Sequence, residues 1–225
     1  MIASRPTGKE KGIAVGIGIA FMAIALVIQI ITQEIPAIIV LLRYGGARLI
    51  PILSGFELSN PILWAIFVGG TAAAYQESMK YFSVNTQSKY LAIWIGLGFA
   101  LVDLVVLYVE TIPALAKGFS LLALILVALN SVSSLLFHPG TALILKYGRT
   151  IRKGAFFLLF TMLLHGIEDG GLVFTDIYVI HNPGQYIYAI SVFWGITMAI
   201  SVGSIILGLF FRRRLYSGNM EENSI

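Results

Sequence analysis

Cysteine is absent from the 225 residues. Without it the chain has no disulfide framework and no thiolate metal site. Charge is scarce as well, at 12% of residues, where a soluble domain carries roughly 25%. Hydrophobic residues instead make up 58%. A soluble fold of this length cannot hide so much apolar surface, because surface-to-volume scaling caps the buried fraction. Lipid must cover the excess, and the expected class is an all-α polytopic membrane bundle. The net charge of +4 is spread over helix ends, so it carries topology and no nucleic-acid partner is expected. Several protease signatures are missing too. There is no G-x-S-x-G elbow and no H-E-x-x-H pair, and Gly96-Leu97-Gly98 is followed by Phe99 where a presenilin-type pattern needs Asp.

What is present is a series of long apolar runs. A helix needs about 20 apolar residues to cross a hydrocarbon core of ~30 Å. Runs of that length lie at about 12–33, 61–82, 88–110, 119–147, 153–175 and 185–211, giving about six spans, at most seven. The first is too long for a signal-peptide core of about 7–15 residues and is read as a retained span. Residues 35–42 make about one third of a span. Pro36 interrupts them early and Arg43-Tyr44-Gly45-Gly46 follows, which reads as an interfacial or re-entrant piece. Asn130-Ser131-Val132-Ser133-Ser134 is expected to kink or break the long fourth span.

Orientation follows from Lys and Arg. Arg5, Lys9, Lys11, Lys89, Lys146, Arg149, Arg152, Lys153, Arg212, Arg213 and Arg214 fall on one side of a six-span bundle. The positive-inside rule makes that side cytoplasmic, termini included. Arg43, Arg48 and Lys117 are the exceptions. The expected location is the cell membrane, with residues 1–225 forming one integral membrane domain.

Charged side chains inside a span cost from about 2.5 kcal/mol upward, so they face a bundle interior and mark function. Span 2 carries Gln76-Glu77-Ser78-Met79-Lys80-Tyr81, and span 3 carries Asp103. Span 4 carries His138-Pro139-Gly140, and span 5 carries His165-Gly166-Ile167-Glu168-Asp169. His165 and Asp169 are i and i+4, on one helix face, and such a carboxylate can fix an imidazole tautomer. Counting about 1.5 Å per residue from the cytoplasmic ends puts Glu77 about 8 Å deep, His138 about 14 Å and His165 about 18 Å. The three can meet in one cavity of the inner half of the bilayer. One carboxylate and two imidazoles suffice for general-base hydrolysis without a cofactor, and Glu77, His138 and His165 are also a His₂Glu zinc set. Plainer roles exist for each. Glu77 and Lys80 can form an i,i+3 ion pair with Lys80 snorkelling to the interface. Asp103 can serve as a buried hydrogen-bond partner, His138 can satisfy carbonyls freed by Pro139, and Glu168 can point to a separate polar partner. Gly69 through Ala74, with Gly12, Gly16 and Gly18, read as small-residue packing surfaces.

The motif order resembles the glutamate-dependent intramembrane protease clan. That clan includes the CAAX prenyl proteases and bacteriocin-processing enzymes, PrsW, the YhfC family and the anterior-pharynx-defective subunit of gamma-secretase. Glu77-x-x-Lys80-Tyr81 is similar to the first PrsW motif, and Gly98-Phe99-Ala100-x-x-Asp103 to its second. The stretch from Phe137-His138 through Gly148-x-x-x-Arg152-Lys153 to Leu163-Leu164-His165-x-x-x-Asp169 is most similar to YhfC. Residues 61–175 carry the resemblance. It implies that a glutamate activates water, that histidine assists, and that the third-motif Asp positions the site or stabilises the oxyanion. Those roles fall on Glu77, His138, His165 and Asp169, with Gln76, Lys80 and Asp103 in support. Active members begin the first motif Glu-Glu, and here that first position is Gln76. The gamma-secretase subunit resembles this chain in having Gln-Glu there, and it is a scaffold.

Three functions fit. The first is an intramembrane endopeptidase acting on transmembrane or lipidated peptides. The second is a non-catalytic scaffold or assembly subunit with a membrane-protein partner, as Gln76 suggests. The third is a proton-coupled transporter, since buried carboxylates and histidines also make proton relays; no inverted repeat supports it.

Overall fold

The computed structural model describes residues 6–115, 118 and 120–221; Arg5 and Lys117 lie outside that set. All regular structure among the described residues is helical. The helices are α1 (Gly8–Gln33), α2 (Ile35–Tyr44), α3 (Gly46–Ser59), α4 (Pro61–Asn85), α5 (Ala92–Leu115), α6 (Leu121–Thr150), α7 (Gly154–His181) and α8 (Tyr186–Glu221). Five runs are long and apolar enough to cross a membrane: α1 with α2, then α5, α6, α7 and α8. A sixth exists if α3 and α4, bent by 101° to each other, are taken as one broken span. The protein is thus an all-α, multi-pass helical membrane bundle.

Local chemistry explains the helix ends. Thr7 caps α1 in a reciprocal box with Glu10, Thr7 N donating to Oε2 at 2.7 Å. Ser120 accepts from Ala123 N at 3.0 Å and caps α6. Two expectations fail at such details. Pro36 does not interrupt the chain, because it sits in the first turn of α2, where a missing N–H removes no bond. α2 therefore prolongs α1 into a single run, Gly8–Tyr44. The turn comes at Gly45, whose φ of 78° suits glycine, and α3 folds back on α2. Nor does the Asn130–Ser134 patch break α6, which is continuous from Leu121 to Thr150. Two of its hydroxyls are satisfied: Ser131 Oγ donates to Val127 O at 2.8 Å, and Ser133 Oγ lies 2.6 Å from Ser201 Oγ on α8.

Close approach of helices does the positioning. The most extensive contacts are α4 with α7, then α6 with α8, α5 with α6, and α1 with α5. At Gly69 a Cβ would stand 2.6 Å from Gly170 Cα and 2.7 Å from Gly166 O, so backbone meets backbone across α4 and α7. Gly140 on α6 lies likewise against Ser204 and Ile205 of α8, and Gly18 of α1 against Ile95 and Gly98 of α5. The small-residue reading holds for Gly69 and Gly18. It fails for Gly12, Gly16 and Gly70, where a Cβ would meet nothing within 4 Å.

One end of the bundle gathers cations. Lys11 lies over Trp94, Lys89 donates to Leu215 O at 2.8 Å, Lys146 donates to Val84 O at 2.8 Å, and Arg149 lies over Tyr81. The start of α1, the α4–α5 connection, the end of α6 and the far part of α8 therefore share that end.

Candidate functional site

The intramembrane ionisable residues named from sequence lie on α4, α5, α6 and α7, and most converge. Glu77 and Lys80 face inward from α4, both at 0% exposure. Lys80 Nζ donates to Glu77 Oε1 at 2.5 Å and to Thr141 Oγ1 of α6 at 2.9 Å. Its ammonium also lies 5.3 Å from the Phe99 ring centre and 5.4 Å from that of Phe137, within cation–π range. Lys80 is caged and does not snorkel. The same Glu77 Oε1 is 2.8 Å from His165 Nδ1 on α7, brought across by the Gly69–Gly170 contact two turns away. Glu77 Oε2 has no protein partner.

His165 Nε2 lies 3.3 Å from Asp169 Oδ2, one turn on. His138 sits on α6 with its ring centre 5.6 Å from that of His165, edge to face. Its Nε2 is 3.7 Å from Asp103 Oδ2 of α5, too long for a hydrogen bond but within ion-pair reach. The two histidines are buried, whereas the Asp103 and Asp169 side chains are 36% and 39% exposed. Phe137 packs edge-on against both imidazoles, at 5.6 and 5.1 Å.

A cavity of about 200 Å³ opens on this group between α5, α6, α7 and α8. His138, His165, Asp103, Asp169 and Glu168 line it, while Glu77 and Lys80 stand behind His165 and are not in its wall. It reaches Glu110 and Asn130, which lie toward the end of the bundle opposite the cation cluster. An inner-half cavity was expected from residue depths. The histidines do lie about midway along their helices, but the hollow extends from them the other way.

Two named residues bond to partners outside this group. Gln76 turns toward α1, donating from Nε2 to Gln29 Oε1 at 2.9 Å. Glu168 has the separate partner anticipated for it: Ser201 Oγ donates to its Oε1 at 2.7 Å, and Ser133 continues the chain. Sequence reading missed Thr141 and the α8 residues Thr197 and Ser201. Thr141 is one turn after His138, and Thr197, Ser201 and Ser204 share one helical face of an otherwise uncharged span, a weak signal that was there to read.

A zinc ion does not suit these side chains as they stand. Glu77 Oε1 and His165 Nδ1 face each other as a hydrogen-bonded pair, and an ammonium already neutralises the carboxylate. Among the described residues no group of three or more His, Asp or Glu converges as metal ligands. Chemically the arrangement is an imidazole held between two carboxylates, with a second imidazole–carboxylate pair across a small polar hollow. Comparison with protein-family models, curated proteins and solved structures finds no match to this chain.

Proposed function

We propose that this chain is an intramembrane endopeptidase of the glutamate-dependent clan, hydrolysing a peptide bond in or near a membrane segment. The observation that carries the reading is the buried relay Lys80–Glu77–His165–Asp169, ending at a cavity that His138 and Asp103 share. With Nδ1–H donated to Glu77, neutral His165 offers Nε2 as the base beside the Asp169 carboxylate, which accepts the N–H once Nε2 is protonated. A water in the cavity gives its proton to Nε2 while its oxygen attacks the scissile carbonyl carbon. The imidazolium so formed lies between Glu77 and Asp169, as in a serine-protease triad the carboxylate stabilises the charged histidine. The proton then passes to the leaving nitrogen as the C–N bond breaks, yielding a carboxylic acid and an amine. His138, steered by Asp103, is the donor toward the oxyanion.

The geometry adjusts the role implied by resemblance. Glu77 lies behind the imidazole, so it acts through His165, and the imidazole is the group that meets water. Gln76 is bonded to α1, so its amide removes no carboxylate from the cavity. We further propose that the protein resides in the cell membrane with the cation-rich end cytoplasmic.

Purified protein in liposomes, given a panel of synthetic membrane-segment peptides, should cleave at least one. His165→Ala should abolish that cleavage, and Glu77→Gln should slow it by about 10²–10⁴-fold. Turnover in both variants equal to the parent's would refute the reading.

A scaffold role is the second reading, favoured by the completely buried Glu77–Lys80 pair, which leaves the glutamate already neutralised. It predicts no turnover on any peptide and a membrane-protein partner whose co-purification is lost in His138→Ala or His165→Ala.

A further inference from the structure

Two hollows meet at one phenylalanine. The polar cavity has Leu172, Phe193 and Trp194 in its wall. On the lipid-facing side of the same two helices, α7 and α8, lies a second hollow of about 300 Å³. Exposed Ile167, Phe174, Val192 and Ile196 line it, and Phe193 belongs to both hollows. Phe193 is 8% exposed and stands between them. Its ring rests on Gly171, where an added Cβ would stand 3.3 Å from Cε2. The neighbouring Gly170 is turned the other way, against Ala65 of α4. One glycine of the pair thus locks α7 to α4, and the other makes the seat for the ring. α8 is held chiefly by α6, and α7 touches α8 far less than it touches α4.

We infer that the α7–α8 seam is a lateral gate through which an apolar membrane-spanning polypeptide segment reaches the cavity, with Phe193 as its movable leaf. The inference rests on the hydrolytic reading above, which requires a peptide inside the cavity. The groove outside Phe193 is apolar and faces lipid, so it accepts a hydrophobic segment directly from the bilayer. The polar mouth beside Asp103, Glu110 and Asp169 admits water instead. A phenylalanine at the junction keeps lipid tails from the carboxylates while the gate is shut. Its swing needs only one side chain to leave a glycine seat, with no helix unpacked from α4 or α6.

The natural absence of cysteine makes a direct test simple. Thr175→Cys on α7 and Ala189→Cys on α8 both line the outer groove. A bis-methanethiosulfonate reagent staples them reversibly. The probe is a synthetic leucine-rich transmembrane peptide with benzoylphenylalanine at its centre, incorporated in the same liposomes. Photo-adducts are expected within residues 167–178 and 188–196, severalfold weaker after stapling and restored by reductant. Phe193→Ala should strengthen capture and Phe193→Trp weaken it. Adducts centred on Val105 and Val109, exposed on α5 and outside the cavity wall, adducts spread around the lipid belt as for any lipid-exposed surface, or capture indifferent to the staple would each overturn the gate. Capture at the seam without cleavage would leave the gate standing and remove the hydrolytic reading.

Discussion

Glu77 is held from two sides, by an ammonium at 2.5 Å and an imidazole at 2.8 Å, both on the same oxygen. Removing one partner of a buried ion pair strands the other charge, at a cost of about 3–5 kcal/mol. Lys80→Met is therefore expected to unfold well below the parent, and Lys80→Met with Glu77→Gln to recover much of the loss. Thermal unfolding of the three variants in one detergent measures this; a double variant less stable than Lys80→Met would contradict it. Catalytically, Glu77→Gln keeps the side-chain shape but supplies an amide to the imidazole. General-base assistance is worth about 10²–10⁴-fold, and a fall of that order in cleavage rate is expected with capture of the transmembrane probe unchanged. A loss of capture in step with rate would place Glu77 in binding instead. At this scale the sequence was legible in its ionisable residues, since any carboxylate or imidazole in an apolar span needs a partner. Thr141, Phe99 and Phe137, which cage Lys80, were not legible as a set, because nothing in their spacing marks them as facing one ammonium.

Helix-level geometry rests on a few glycines whose substitution meets backbone. At Gly69 a methyl group would lie 2.6 Å from Gly170 Cα, and the helices have to separate. Overpacking of this kind costs about 1–3 kcal/mol. Gly69→Ala should lower the unfolding temperature and also the cleavage rate, because parting α4 from α7 lengthens the Glu77–His165 bond. Gly70→Ala, one residue on and facing open space, is the matched control and should be neutral or slightly stabilising through helix propensity. Equal effects at both positions would argue against the packing account. The α6–α7 turn offers the reverse case. Lys153 N bonds Gly148 O at 2.8 Å and Arg152 N bonds Arg149 O at 3.1 Å, a Schellman ending with arginine where glycine is usual. Arg152 has φ 59°, a left-handed conformation costing a non-glycine residue roughly 1–2 kcal/mol. Arg152→Gly should raise stability by about 1 kcal/mol, readable as a higher midpoint in the same unfolding assay.

The bundle as a whole has one cation-rich end and a cavity that runs away from it. With the cation-rich end cytoplasmic, as proposed, the cavity mouth is expected on the outer face. Single cysteines introduced into the cysteine-free chain test this in intact cells with a membrane-impermeant maleimide. Gly184→Cys, between α7 and α8 and so at the end opposite the cations, should label. Ser88→Cys, between α4 and α5 beside them, should label only after permeabilisation. The opposite pattern would invert the topology and put the cavity mouth in the cytoplasm.

Composition and hydropathy alone determined that this chain is a helical membrane protein. Lipid is the one solvent that tolerates such an apolar surface, and helices satisfy their own backbone bonds within it. They also determined which residues need polar partners inside the bundle, because charge in lipid has to be compensated. Run lengths misjudged Pro36, which sits in a first helical turn where no backbone bond is lost, and the Asn130–Ser134 patch, where Ser131 bonds Val127 O and Ser133 meets Ser201 of α8; hydropathy registers neither. Only the tertiary structure decided that Glu77 meets His165 and not His138, that Gln76 faces α1, and that the hollow opens away from the cations. Those outcomes depend on helix rotation and on which glycines touch. Rotation is set by contacts between residues far apart in the chain, such as Gly69 with Gly170 and Gly140 with Ser204, and no local pattern encodes them.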